Sequence, residues 1–269
     1  MLRKGDLTQG GITGTLLHFT LPMLVGSFLQ QCYNIADTLI VGQCIGAGAL
    51  AAVGSAYTLM VFLISVLLGL AMGSGTVFSL HYGAGNHVAL RRSIFSSFAL
   101  IGIVTLILNV VVFIWLDPIL RLLQVPQDIY GMMRSYLWII FCGIVFTFIY
   151  NFYASLLRAV GDSVTPLWFL AVSVVLNIAL DLFFILQLDW GIQGAAAATV
   201  LAQGVAALGI IIYTYRRRPE LRWHHEDMCF DRTCLKEIAS FSTLTCVQQS
   251  VMNLGILMIQ GLVNSFGTA

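Results

Sequence analysis

Long apolar runs, separated by short polar clusters, extend through the whole chain. Seven of them are long enough to be membrane spans: 15–41, 50–80, 93–116, 134–157, 164–187, 191–215 and 235–264. A helix needs about 20 apolar residues to cross a hydrocarbon core. The second run exceeds that need and predicts a tilted or extended helix. The breaks carry turn chemistry: Tyr82-Gly83-Ala84-Gly85-Asn86, Asp117-Pro118, Val125-Pro126-Gln127-Asp128, Gly161-Asp162-Ser163 and Asp189-Trp190-Gly191. The longest interruption, Arg216 to Arg232, mixes both charge signs and predicts a solvated loop. The pattern as a whole predicts an all-α polytopic membrane protein.

Composition sharpens this. Hydrophobic residues make up 59% of the chain and charged residues 9%, with a mean hydropathy of +0.91. Soluble domains carry about 25% charged residues. A net charge of +1 supplies no field for nucleic acid or acidic partners. The six cysteines form no CxxC pair and no disulfide framework. The first apolar stretch, from Leu16, is too long for a signal-peptide core and predicts a retained span. With the N-terminus in the cytoplasm, cytoplasmic segments hold eleven of the 13 Lys and Arg residues, and external segments hold only Arg121 and Arg134. The positive-inside rule therefore orients the N-terminus to the cytoplasm.

The first and seventh runs are related by an offset of 219 positions, which pairs Gln30 with Gln249, Asn34 with Asn253, Ile40 with Ile259, Gly42 with Gly261 and Gly48 with Gly267. Six spans between two copies suggest a protein built from two six-helix halves, a parallel-repeat plan used by transporters. On this reading residues 1–215 form a six-helix transmembrane lobe and 216–234 a cytoplasmic inter-lobe loop. Residues 235–269 would begin a second, incomplete lobe. The expectation is a truncated chain lacking about five spans of the repeat plan.

Two carboxylates stand inside this apolar framework, Asp37 and Asp181. An ionisable side chain at membrane depth costs at least about 2.5 kcal/mol and points to function. Counting residues along each helix puts Asp37, Asp181 and Thr199 at similar depth in the outer half of the membrane. Asn177 lies one turn from Asp181 on the same face. Two carboxylates, an amide and a hydroxyl make an oxygen-rich set suited to Na⁺ or to a shared proton. The plainer alternative is that such groups only hydrogen-bond between helices. Pro22 predicts a kink in the first span. Gln30, Gln31, Tyr33 and Asn34 add a polar stripe to the same helix and suggest a water-filled cavity and candidate substrate contacts.

Other features read as structural. His224, His225, Glu226, Asp227 and Cys229 lack metal-ligand spacing and read as solvated loop. Gly69, Gly73 and Gly75 suit close helix packing rather than phosphate binding. Arg158 reads as part of a cytoplasmic turn with Gly161-Asp162, which leaves acids but no Lys or Arg in the membrane interior. No HExxH, GxSxG or Walker A motif occurs, and an enzyme is not expected.

Several motifs together resemble one family. They are Leu21-Pro22, Gln30-Gln31-Cys32-Tyr33-Asn34-Ile35-Ala36-Asp37-Thr38, Val41-Gly42 with Ala49-Leu50-Ala51-Ala52-Val53, Arg158-Ala159-Val160-Gly161-Asp162-Ser163 with Thr165-Pro166, Asn177-Ile178-Ala179-Leu180-Asp181, Gly191-Ile192-Gln193-Gly194-Ala195-Ala196 with Thr199, and Val263-Asn264-Ser265-Phe266-Gly267. This combination resembles the multidrug and toxic compound extrusion (MATE) transporters over essentially the whole chain, with Asp181 leaning towards the prokaryotic DinF-like branch. The resemblance implies a twelve-helix, two-lobed fold that acts as a monomer when full length. It implies a multi-pass protein of the plasma (inner) membrane that exports cationic or amphipathic drugs against inward H⁺ or Na⁺, with no cofactor beyond that ion. It also implies that Asp37, Asn177, Asp181 and Thr199 form a cation site whose filling bends the first helix at Pro22. Two alternatives remain: a flippase for lipid-linked oligosaccharides, which should need basic residues facing its cavity, and a non-transporting membrane fragment.

Overall fold

A computed structural model describes residues 12–122, 125–223 and 232–265. Eight α-helices account for nearly all of them: α1 (Ile12–Cys44), α2 (Ala47–Gly83), α3 (His87–Leu122), α4 (Gln127–Cys142), α5 (Ile144–Ala159), α6 (Val164–Leu182), α7 (Gly191–Arg217) and α8 (Arg232–Ser265). Among the described residues no strand occurs. Turns at Ile45–Gly46, Val125–Pro126 and Leu188–Trp190 gather at one end of the bundle, the first end. Those at Ala84–Asn86, Val160–Ser163 and Arg218–Trp223 gather at the other, the second end. Gly46 (φ 115°) and Gly161 (φ 87°) reverse the chain in backbone conformations that L side chains rarely adopt.

Each predicted apolar run is helical, with two differences in where the chain breaks. The run 134–157 is not one straight span. It divides between α4 and α5 at Gly143, with a bend of 48°. A Cβ at Gly143 would collide with the Val200 side chain, so the bend lets this chain segment approach α7 closely. The bend also frees carbonyls within the bundle, and Asn109 of α3 donates to the Phe141 carbonyl at 2.7 Å. Conversely, Asp117-Pro118 does not end a helix, because α3 continues to Leu122 with Pro118 in its last turns. Asp117 is held there from α4, where Arg134 Nε donates to its Oδ1 at 2.8 Å and the Tyr130 hydroxyl to the same atom at 2.8 Å.

Among the described residues, four helices are long and apolar enough to cross a membrane, or five if the α4–α5 pair counts as one bent span. α1 and α8 match them in length, with 33 and 34 residues. Their polar positions (Gln30, Gln31, Asn34 and Asp37; Gln249 and Asn253) make them less apolar, and these residues line a cavity.

The core lies among α2, α3, α4, α5 and α7, where Phe78, Phe141, Phe152, Leu90, Ile94 and Leu137 are almost wholly inaccessible. Phe152 packs edge-on against Phe78 and Phe98 at 5.9 and 5.3 Å, and Trp223 leans on Phe98 at 5.6 Å, pinning the segment after α7 to α3. Large apolar side chains face outward along most helices, including Leu21, Leu24 and Phe28 of α1, Ile107 and Ile114 of α3, and Val175 of α6. A water-soluble bundle would bury such residues, whereas a bilayer accepts them.

α8 is clamped onto α2. A Cβ at Gly69 would lie 2.7 Å from the Cys246 Cα, and one at Gly73 would collide with the Ser242 backbone. Ser242 Oγ donates to the Leu70 carbonyl at 3.2 Å and Cys246 Sγ to the Val66 carbonyl at 3.3 Å. Gly75 faces α5 instead, against the Ser155 hydroxyl.

Candidate cation site and cavity

α1, α6 and α7 pack side by side, and each brings one predicted residue, or two, to a common point. Asp37 comes from α1, Asn177 and Asp181 from α6, and Thr199 from α7. Asn177 and Asp181 are fully buried, and Asp37 and Thr199 are each 8% exposed. The two carboxylates lie within hydrogen-bonding reach of one another.

The Asn177 amide bridges two helices. With its nitrogen towards Asp181 it donates to Oδ2 at 3.0 Å, and its oxygen accepts from the Thr199 backbone N–H at 3.2 Å. The reversed amide would meet Thr199 Oγ1 at 3.3 Å but set its oxygen against a carboxylate, so the first orientation is the chemically sound one. The Tyr33 hydroxyl donates to Thr199 Oγ1 at 3.3 Å and completes the ring of contacts from α1.

One oxygen of each aspartate, Asp37 Oδ1 and Asp181 Oδ1, is buried without a hydrogen-bond partner. A buried carboxylate oxygen left unpaired is costly, and two such carboxyls in one site suit a proton or a hard cation. Directly after Asp181 the helix widens into a π-helical turn, Phe183–Gln187. Such turns are frequent at functional sites because they shift the register of the side chains around them.

The site opens on a cavity of about 1060 Å³. Gln30, Gln31, Tyr33 and Asn34 all line it, as the polar stripe predicts, and so does Pro22, through which α1 runs without a break. Gln249 and Asn253 of α8, the repeat partners of Gln30 and Asn34, line the same space. The remaining repeat pairs involve residues beyond Gly255, whose side chains lie outside the described set, as does the loop with His224, His225, Glu226, Asp227 and Cys229.

Of the lining residues that were not singled out from sequence as part of the site, three bear on its chemistry. Tyr136 of α4 is buried beside the acids; a tyrosine in an apolar run reads as an ordinary anchor and gives no signal. Gln203 hydrogen-bonds to Thr147 and lies one turn after Thr199 on α7, a spacing that could have flagged it. Arg158 is the third: read from the sequence as part of a cytoplasmic turn, it stands in the last turn of α5 and also lines the cavity, near the second end.

Long apolar helices facing outward, around a cavity with buried acids, define a multi-pass membrane protein with a polar interior. The chain belongs to the MATE family, whose model, described as MatE, matches residues 22–183. It is 32% identical over 273 residues to a probable multidrug resistance protein, YpnP, of Bacillus subtilis, an alignment covering 99% of this chain and 59% of the relative. It is 31% identical over 210 residues to the multidrug export protein MepA of Staphylococcus saprophyticus, covering 75% of this chain and 45% of that protein. The fold matches an outward-facing multidrug resistance MATE family transporter of the MOP superfamily with a TM-score of 0.91 at 23% identity, over 99% of this chain and 59% of that one. The chain thus spans about three-fifths of the length of that transporter and of YpnP.

Proposed function

We propose that this chain carries the cation-coupled lobe of a plasma-membrane multidrug exporter, with its N-terminus in the cytoplasm. Residues 1–215 are its first lobe, 216–234 the linker, and α8 the opening helix of a second lobe. The exported compounds are cationic or amphipathic, and H⁺ or Na⁺ drives them. The observation that carries this reading is the buried pair Asp37–Asp181, each with an unpartnered oxygen, of which Asp37 lines a large cavity.

In the proposed cycle a proton or Na⁺ enters from outside and is held by Asp37 and Asp181, with Asn177 and Thr199 fixing the carboxylates. Neutralising the pair removes their repulsion and lets α1 move towards α6, bending at Pro22. The cavity narrows and the drug leaves. Return of the cation to the cytoplasm reopens it.

The test is ethidium export from proteoliposomes under a proton gradient or a Na⁺ gradient, imposed separately. Under this reading one gradient drives export, and Asp37→Asn or Asp181→Asn lowers the driven rate at least about tenfold while leaving ethidium binding measurable. Export that is indifferent to both substitutions would sink the assignment.

A further inference from the structure

Arg158 sits in the last turn of α5, and its guanidinium is only partly spoken for. Its Nε donates to the Ala154 carbonyl at 3.0 Å. Among the described residues no carboxylate lies within ion-pairing distance of it. The nearest acid in sequence, Asp162, is engaged elsewhere: it accepts from the Thr165 backbone at 3.0 Å and hydroxyl at 2.8 Å, and pairs with Arg218 at 3.5 Å. Asp162 does not line the cavity, whereas Arg158 does.

Around Arg158 the wall is built of hydrogen-bond donors. Ser155 and Ser163 are buried, 7% and 6% exposed, and both line the cavity. Among the described residues neither hydroxyl donates to a protein acceptor. Asn151 uses one amide hydrogen on the Thr147 carbonyl at 2.8 Å and keeps a second. The acids lie far from this cluster. Thr147, tied to Gln203 one turn from Thr199, is eleven residues before Arg158 on α5, or about 16 Å along the helix. The cavity therefore has a carboxyl group, Asp37, towards one end and a guanidinium, Arg158, towards the other. A guanidinium and free hydroxyls lining one cavity suit an oxyanion, which takes charge-assisted bonds from all of them.

We propose that Arg158, Ser155, Ser163 and Asn151 form an anion subsite at the second end of the cavity, which holds the phosphate or carboxylate headgroup of an amphipathic molecule. The role of this subsite in export rests on the function proposed above, but its binding chemistry does not. Loss of gradient-driven ethidium export with anion binding intact would remove the first reading and leave the second.

The experiment is a titration of the purified chain in detergent with decyl phosphate, read by intrinsic fluorescence. Saturable binding is expected, weakened at least about tenfold in Arg158→Gln and within about threefold of the original in Arg158→Lys. Binding of decyltrimethylammonium should be unaltered by Arg158→Gln. Competition by dihexanoyl phosphatidylglycerol would assign the site to a lipid headgroup, and competition by inorganic phosphate alone to a free anion. Absence of saturable binding to the unmodified chain, or equal affinity in Arg158→Gln, overturns the proposal. Should Arg158→Gln fail to fold in a melting curve, the Ser155→Ala/Ser163→Ala double variant decides, and unchanged decyl phosphate affinity in it overturns the proposal equally.

Discussion

At the residue scale, the proposed cation site implies that Asp37 and Asp181 repel one another whenever both are ionised. Two unit charges about 4 Å apart repel by about 4 kcal/mol at an effective dielectric constant near 20. Asparagine at position 37 keeps the shape of aspartate and removes that repulsion. The chain with Asp37→Asn should therefore melt several degrees higher than the original in sodium-free buffer at pH 9, and lose any stabilisation by added Na⁺, as a thermal scan in detergent with and without NaCl would record. An unchanged melting temperature together with an unchanged Na⁺ response would mean that the pair is not charged in the folded protein. These acids were legible in the sequence because charge is rare and costly in an apolar run. Arg158 was not, because an arginine in the last turn of a helix has an ordinary explanation in the helix dipole. Only the lining of the cavity separates the two roles.

The helices meet through small residues, and here glycine positions become informative. Gly73 and Gly54 lie on the same helix in opposite circumstances. A Cβ at Gly73 collides with the α8 backbone, and one at Gly54 meets nothing within 4 Å. Gly73→Ala should lower unfolding stability by about 1–3 kcal/mol, and Gly54→Ala should raise it by about 0.5–1 kcal/mol through helix propensity. Denaturation of the two variants side by side gives opposite signs if the α2–α8 clamp holds in solution, and similar values if it does not. Most turns between helices were readable from Gly, Pro and Asp clusters. The bend at Gly143 was not, since one glycine among Phe, Cys and Ile leaves the hydrophobic pattern unbroken. Asp117-Pro118 misled for the opposite reason: the groups that keep α3 helical there, Arg134 and Tyr130, come from another helix.

For the whole molecule, the alternation of helices and the bias of Lys and Arg together specify a topology that can be checked directly. Cys44 is exposed at the first end of the bundle. On the proposed orientation, a chain retaining Cys44 as its sole cysteine is labelled in intact cells by a membrane-impermeant maleimide. The same chain with cysteine moved to the Ala84–Asn86 turn is labelled only after permeabilisation. The reverse pattern would invert the topology and place the anion subsite outside. The global plan was legible because a bilayer forces every span into the same length and polarity. The convergence of α1, α6 and α7 on one point was only partly so. Matching depth could be counted along each helix, but neighbourhood depends on packing that no single helix records.

On the proposed ion-binding role, the position of Asp37 along α1 also has an electrical meaning. Asp37 is seven residues from Cys44, about 10 Å along the axis, in a hydrocarbon layer about 30 Å thick. A full crossing by one charge is worth about 2.3 kcal/mol per 100 mV, so an ion reaching this pair from the first end collects about a third of that from the membrane voltage. The remaining two-thirds is released only when the ion continues through the cavity to the second end. Under the proposed function the depth of one carboxylate thus divides the voltage sensitivity of transport unequally, with the smaller share on ion arrival and the larger on ion departure.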